Sequence, residues 1–101
     1  MSFDRAFSDD GKQLTIIVDE KFDFGNVTDF RVAYSNDSDE VKSIVVDLQR
    51  TKYIDSSALG MLLNMQKVMS GNVTSFSIIN CCEQVTKILR IARFDKKFTL
   101  S

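Results

Sequence analysis

The chain has 101 residues, 44% of them apolar, which suits one domain with a single core. Its net charge is −1, from 13 basic and 14 acidic residues, so it lacks the basic excess of a nucleic-acid-binding surface. No apolar run approaches the ~18 residues of a membrane span, and the start, MSFDRAFSDDGKQ, has no apolar signal segment.

These features lead us to expect a cytoplasmic protein with no direct nucleic-acid contact and no membrane span. The absence of histidine excludes Ser-His-Asp and Cys-His nucleophilic sites and removes the commonest catalytic base. Cys81 and Cys82 are adjacent, without CxxC spacing, so no zinc site is expected and the pair reads as free, partly buried thiols. No catalytic residue, cofactor or metal is therefore anticipated. The N-x-S/T matches Asn26–Thr28, Asn36–Ser38 and Asn72–Thr74 matter only in a secreted protein, and nothing suggests secretion.

The first strands expected are Phe3–Phe7 and Leu14–Asp19. In the second, Leu14, Ile16 and Val18 alternate with Thr15, Ile17 and Asp19. Asp9-Asp10-Gly11 between them reads as a hairpin turn, which makes the pair antiparallel at a sheet edge. From Asn26 to Tyr34 the spacing of Val27, Phe30 and Ala33 or Tyr34 is helical. Ser35–Glu40 is polar and acidic, a solvated loop.

Ser43–Leu48 is β-branched and apolar without alternation, the pattern of a strand covered on both faces. A long helix follows over Ser57–Ser70, with Gly71 at its C-terminal cap. Val73–Ile79 is the next strand, and Gln84–Arg93 a helix with Val85, Ile88, Leu89 and Ala92 on one stripe. Phe98–Leu100 closes the chain as a short strand. Such alternation gives parallel pairing and right-handed crossovers. The fold class is α/β: one domain over 1–101, a small mixed and mostly parallel sheet with an antiparallel N-terminal edge strand, and helices packed on it.

The long helix has an apolar sector about 220° wide at 100° per residue, where an ordinary surface helix needs little over 100°. Met61 and Val68 form its extra arc, and Ser56, Ser57, Gly60, Asn64 and Lys67 fill the remainder. Two readings stay open. The extra arc is core between neighbouring helices, or Met61 and Val68 are exposed and, with Asn64, face a partner.

The start of this helix, Asp55-Ser56-Ser57, holds three consecutive capping residues, more than one helix needs. Neither a phosphate-binding GxxxxGK[ST] loop nor a GxSxG elbow is present. Capping alone is one explanation. An exposed serine that accepts a phosphoryl group from a kinase is the other.

The segment SIVVDLQRTKYIDSSALGMLLNMQK resembles the core of STAS domains, the bacterial anti-sigma-factor antagonist family. Asp55-Ser56-Ser57-Ala58-Leu59-Gly60 matches that family's Asp-Ser-Ser-Gly-Leu-Gly. Upstream, Leu14–Val18 followed by Glu20-Lys21-Phe22-Asp23 looks like its second strand and Gly-Glu-Leu-Asp. Downstream, Phe76–Asn80 and Val85–Ile91 fit its next strand and helix.

The resemblance implies a STAS-like fold and a non-enzymatic regulatory switch. Ser56 would be the phosphorylation site, with Asp55, Ser57, Gly60 and Asp23 supporting it and the helix start. The implied partners are a serine kinase or anti-sigma factor of the histidine-kinase-like ATPase class, bound when Ser56 is unphosphorylated, and a PP2C-type phosphatase. The alternative is a constitutive STAS-like subunit or scaffold of a larger complex, such as a lipid-transport ATPase, with no phosphoswitch. The sequence departs from the family pattern at Ala58, at Glu20-Lys21-Phe22, and in a short or missing final helix.

Overall fold

The computed structural model describes residues 3–35 and 40–101. Strand β1 (Phe3–Phe7) and strand β2 (Gln13–Val18) form the expected antiparallel hairpin. Its turn needs a left-handed residue, and Gly11 supplies it with φ 72°. The Ser8 hydroxyl donates to Asp10 Oδ1 at 2.6 Å and closes the turn.

Next come the two-residue strand β3 (Lys21–Phe22), helix α1 (Val27–Ser35) and strand β4 (Ser43–Asp47). Strand β5 (Tyr53–Ile54), helix α2 (Ser56–Met69), strand β6 (Ser75–Ile79), helix α3 (Glu83–Ile91) and strand β7 (Thr99–Leu100) complete the chain. The main sheet runs β1-β2-β4-β6-β7, parallel except for the β1–β2 pair, and β3 pairs with β5 in a separate parallel ribbon.

From β2 onward each strand adds on the same side of the sheet. Right-handed crossovers then place all three helices on one face. The burial pattern agrees. Leu14, Ile16, Val18, Ile44, Val46 and Ile78 share one face and join a single core with Phe30 of α1, Leu62 and Met65 of α2, and Val85 and Leu89 of α3. Phe22 packs on Phe30 at 5.1 Å between ring centroids, and Phe30 on Tyr34 at 5.7 Å, which fixes α1 against the sheet.

Several boundaries differ from the sequence expectation. Strand β4 is the exception: it is buried along both faces, as its unbroken apolar run implies, although the helices lie on one of them. On the other, Val45 and Asp47 are buried (8% and 7% exposed) between neighbouring strands and loops, outside the main core cluster. Helix α2 starts at Ser56 and ends at Met69, with Ser70 as its C-terminal cap in right-handed conformation. Gly71 does not adopt the left-handed geometry of a glycine cap. Val73 N–H instead bonds Met69 O at 2.8 Å, so Val73 and Thr74 belong to the turn and β6 begins at Ser75. Helix α3 stops at Ile91 because Arg93 turns left-handed at φ 63°, which leaves Ala92 exposed instead of in the buried stripe. Ser35 ends α1, and the rest of the expected acidic loop, with the Asn36–Ser38 match, lies largely outside the described residues.

Candidate functional site

The β3–β5 ribbon sets up the site, although each strand has only two residues. The Thr51 hydroxyl, buried, donates to Asp19 O at 2.7 Å. Lys52 N–H donates to Glu20 O at 2.8 Å. These bonds hold the stretch before β5 against the turn after β2. Phe22 then pairs with Ile54, so Asp23 and Asp55 are the next residues on two parallel, adjacent strands.

Each aspartate caps a different helical segment. Asp55, extended at φ −121°, accepts the Ala58 N–H at 3.0 Å and is the N-terminal cap of α2. Asp23 accepts the Gly25 N–H at 3.0 Å, while Asn26 Oδ1 accepts Asp23 N–H at 2.8 Å, a reciprocal capping box on the short 3-10 turn Phe24–Asn26. Asp23 thus stands beside the start of α2 but stabilises the turn that leads into α1.

With Asp55 acting as the cap, Ser56 and Ser57 occupy the first two helical positions. Ser56 is exposed, and its hydroxyl bonds to no other described residue. Ser57 is half-buried and points into a cleft of about 300 Å³ between α1 and α2. Gly60 and Met61 line the same cleft with Phe24 and Tyr34. Asn64 Nδ2 donates to the Tyr34 hydroxyl across it at 3.4 Å.

The two readings of the wide apolar arc divide by residue. Met61 is half-buried against the core, whereas Val68 is 60% exposed. Ser57, Met61, Asn64 and Val68 form one row along α2, beside α1 at its upper end, while Ser56, Gly60, Leu63 and Lys67 form the outward row.

The loops that leave β4 and β6 are held by a carboxylate that the sequence did not single out. Asp47 accepts Gln49 N–H at 2.9 Å, Gln49 Nε2 at 3.3 Å and Asn80 Nδ2 at 3.1 Å. Asn80 is left-handed at φ 59°, which turns the chain from β6 toward α3. Cys81 follows, half-buried, and burial pushes its thiol above the ordinary value. Cys82 is exposed and starts α3 without a side-chain cap bond. Among the described residues, no cluster of His, Cys, Asp or Glu could hold a metal, and no helix is long and apolar enough to cross a membrane.

A larger open cleft of about 610 Å³ lies at the far end of α2, where Lys67, Lys96 and Lys97 mix with Asp95. It is remote from the capping residues and gathers no convergent acid–base pair.

The family model described as STAS domain matches residues 8–101. A STAS-domain containing protein of Pseudomonas aeruginosa, PA14_20770, is 44% identical over 94 residues, covering 93% of each chain. Bacillus SpoIIAA in its phosphorylated form superposes with a TM-score of 0.71 at 15% identity, over 99% of this chain and 91% of that one. A sulfate transporter family protein from Wolinella succinogenes gives a TM-score of 0.77 at 13% identity, over 91% of this chain and 74% of that one. The antiparallel edge hairpin, the mostly parallel sheet and the aspartate-capped α2 thus sit in a chain that belongs to the STAS-domain family.

Proposed function

We propose that this chain is a regulatory switch of the anti-sigma-factor antagonist type, bound to its partner when Ser56 is free and released when Ser56 is phosphorylated. The observation that carries this reading is the division of labour at the start of α2. Asp55 accepts the Ala58 N–H as the cap, while the exposed Ser56 hydroxyl has no hydrogen bond to another described residue. The shared fold with SpoIIAA, a protein with solved unphosphorylated and phosphorylated forms, supports it.

The electrostatics suit a switch. A phosphate adds about −1.5 to −2 charges at pH 7. At the first helical position the helix dipole and the free N–H groups of the first turn favour that charge, so the domain itself tolerates it. A docked protein surface does not, because Asp55 already puts a carboxylate at the same helix start. A repulsion of about 3 kcal/mol lowers affinity more than a hundredfold. The partners are a serine kinase or anti-sigma factor of the histidine-kinase-like ATPase class and a PP2C-type phosphatase, and the chain acts without catalysis in the cytoplasm.

The experiment is a comparison of binding to the purified kinase-type partner. Wild type and Ser56→Ala should bind alike, and Ser56→Asp should bind at least tenfold more weakly. Equal affinity of Ser56→Asp would remove the charge mechanism.

A second reading is favoured by the fold shared with the sulfate transporter family protein and by the exposed Val68. In it the domain is a constitutive subunit of a larger assembly, a lipid-transport ATPase for instance. Binding then depends on Val68 and is indifferent to Ser56→Asp.

A further inference from the structure

The charges of this chain are sorted along it. Residues 84–101 carry five basic groups and one acid, while residues 1–83 carry eight basic groups and thirteen acids. The net charge of −1 therefore divides into +4 at the C-terminal end and −5 over the rest.

The fold keeps the two apart in space. Helix α3 connects β6 to β7 at one edge of the five-stranded sheet, and β1 is the other edge. At about 4.8 Å per strand the edges stand roughly 19 Å apart. That exceeds the ~8 Å over which exposed charges act through physiological salt. Strands β1 and β2 and the turns after them carry Asp4, Asp9, Asp10, Asp19 and Glu20. The β7 edge carries Lys87 and Arg90 on α3, then Arg93, Lys96 and Lys97 in the turn into β7. All five are exposed, and none makes an ion pair with a described residue.

Val85 and Leu89 turn α3 inward, which leaves Lys87 and Arg90 on its outer side. Ile91 ends the helix beside them and is 76% exposed. Phe94 and Phe98 of the same segment are buried. This side of the domain thus presents cations and one aliphatic side chain, without an exposed aromatic ring.

We propose that the outer side of α3 and the turn after it dock on an anionic lipid surface, held by these five cations with Ile91 entering the headgroup layer. Charge complementarity selects an anionic occupant, and the make-up of the patch selects lipid. Protein interfaces are poor in lysine and centre on aromatic anchors, which this side lacks. Single-stranded nucleic acid stacks on exposed rings, which it lacks as well. Clustered lysines and arginines beside an exposed aliphatic group suit a layer of anionic headgroups. A plane touches only one side of a small domain, so the acidic edge faces away from it. The contact needs no membrane span, lies on a different helix from Ser56 and does not depend on its phosphorylation.

Co-sedimentation with vesicles tests this. Phosphatidylcholine vesicles with about 30% phosphatidylglycerol should bind the chain about tenfold or more better than phosphatidylcholine alone, and about 0.5 M salt should release it. Lys87→Gln/Arg90→Gln should bind the anionic vesicles about tenfold less. Lys12→Gln/Lys21→Gln removes the same charge before and after β2 and should bind as wild type. Ile91→Gln leaves every charge in place and should weaken binding several-fold. Equal sedimentation with neutral and anionic vesicles would overturn the proposal. Equal losses in the two double variants would trace binding to net charge and overturn it as well. Release by soluble glycerol phosphate at the same phosphate concentration, or tighter binding to a polyglutamate peptide than to the vesicles, would assign the cations to another occupant and overturn the lipid surface.

Discussion

Asp23 and Asp55 stand side by side, one residue past the Phe22–Ile54 pair of a parallel ribbon, and each caps a different helical segment. Two helical segments therefore start together, held in register by two pairs of strand residues. Asp55→Ala removes the acceptor for Ala58 N–H and should destabilise the domain by about 1 kcal/mol. Asp55→Asn keeps an acceptor and should recover most of it. Urea denaturation of the three proteins measures this, and an Asp55→Ala midpoint equal to wild type would remove the cap from the account.

Asp47 gathers three hydrogen bonds from Gln49 and Asn80 at 2.9 to 3.3 Å. Asp47→Ala leaves these donors without their acceptor close to a buried position, a loss of about 1–3 kcal/mol. The same denaturation series reads it. A change within experimental error would show that water replaces the carboxylate without cost.

The α/β order was legible because each main element carries its own local pattern: the unbroken apolar run of β4, the alternation of β2 and the stripe of α3. The start of α2 was legible within Asp55-Ser56-Ser57, but the choice of Asp55 as its cap was not. The β3–β5 ribbon was not, since Lys21-Phe22 and Tyr53-Ile54 are too short to show a period and exist only because Thr51 and Lys52 bond to the turn after β2. The place of Asp23 beside Asp55 depends on that long-range pairing, and no local signal announces it.

Cys81 and Cys82 are adjacent but should react unequally. Burial holds the Cys81 thiol in its protonated form, whereas Cys82 is exposed at the start of α3. Iodoacetamide at neutral pH should modify Cys82 several-fold faster, as read by peptide mass mapping. Faster modification of Cys81 would contradict the burial described for it.

The Asp10 carboxyl is held below its ordinary value of 3.8 by the hydrogen bond from Ser8 and the Lys12 N–H. A lowered folded-state value means a stabilising contribution that is complete above the ordinary value and is lost as pH falls through the folded one. Asp10→Asn should therefore melt below wild type at neutral pH, and the gap should close in acid. A gap that stays constant with pH would assign the effect to something other than ionisation.

Ser56 decides between switch and cap, and the most direct measurement is phosphate mapping on chain isolated from its own cells. The account predicts a population carrying one phosphate, located on Ser56, absent from Ser56→Ala and removed by a PP2C-type phosphatase. Phosphate on Ser57 in place of Ser56, or no phosphate under any growth condition, would contradict it.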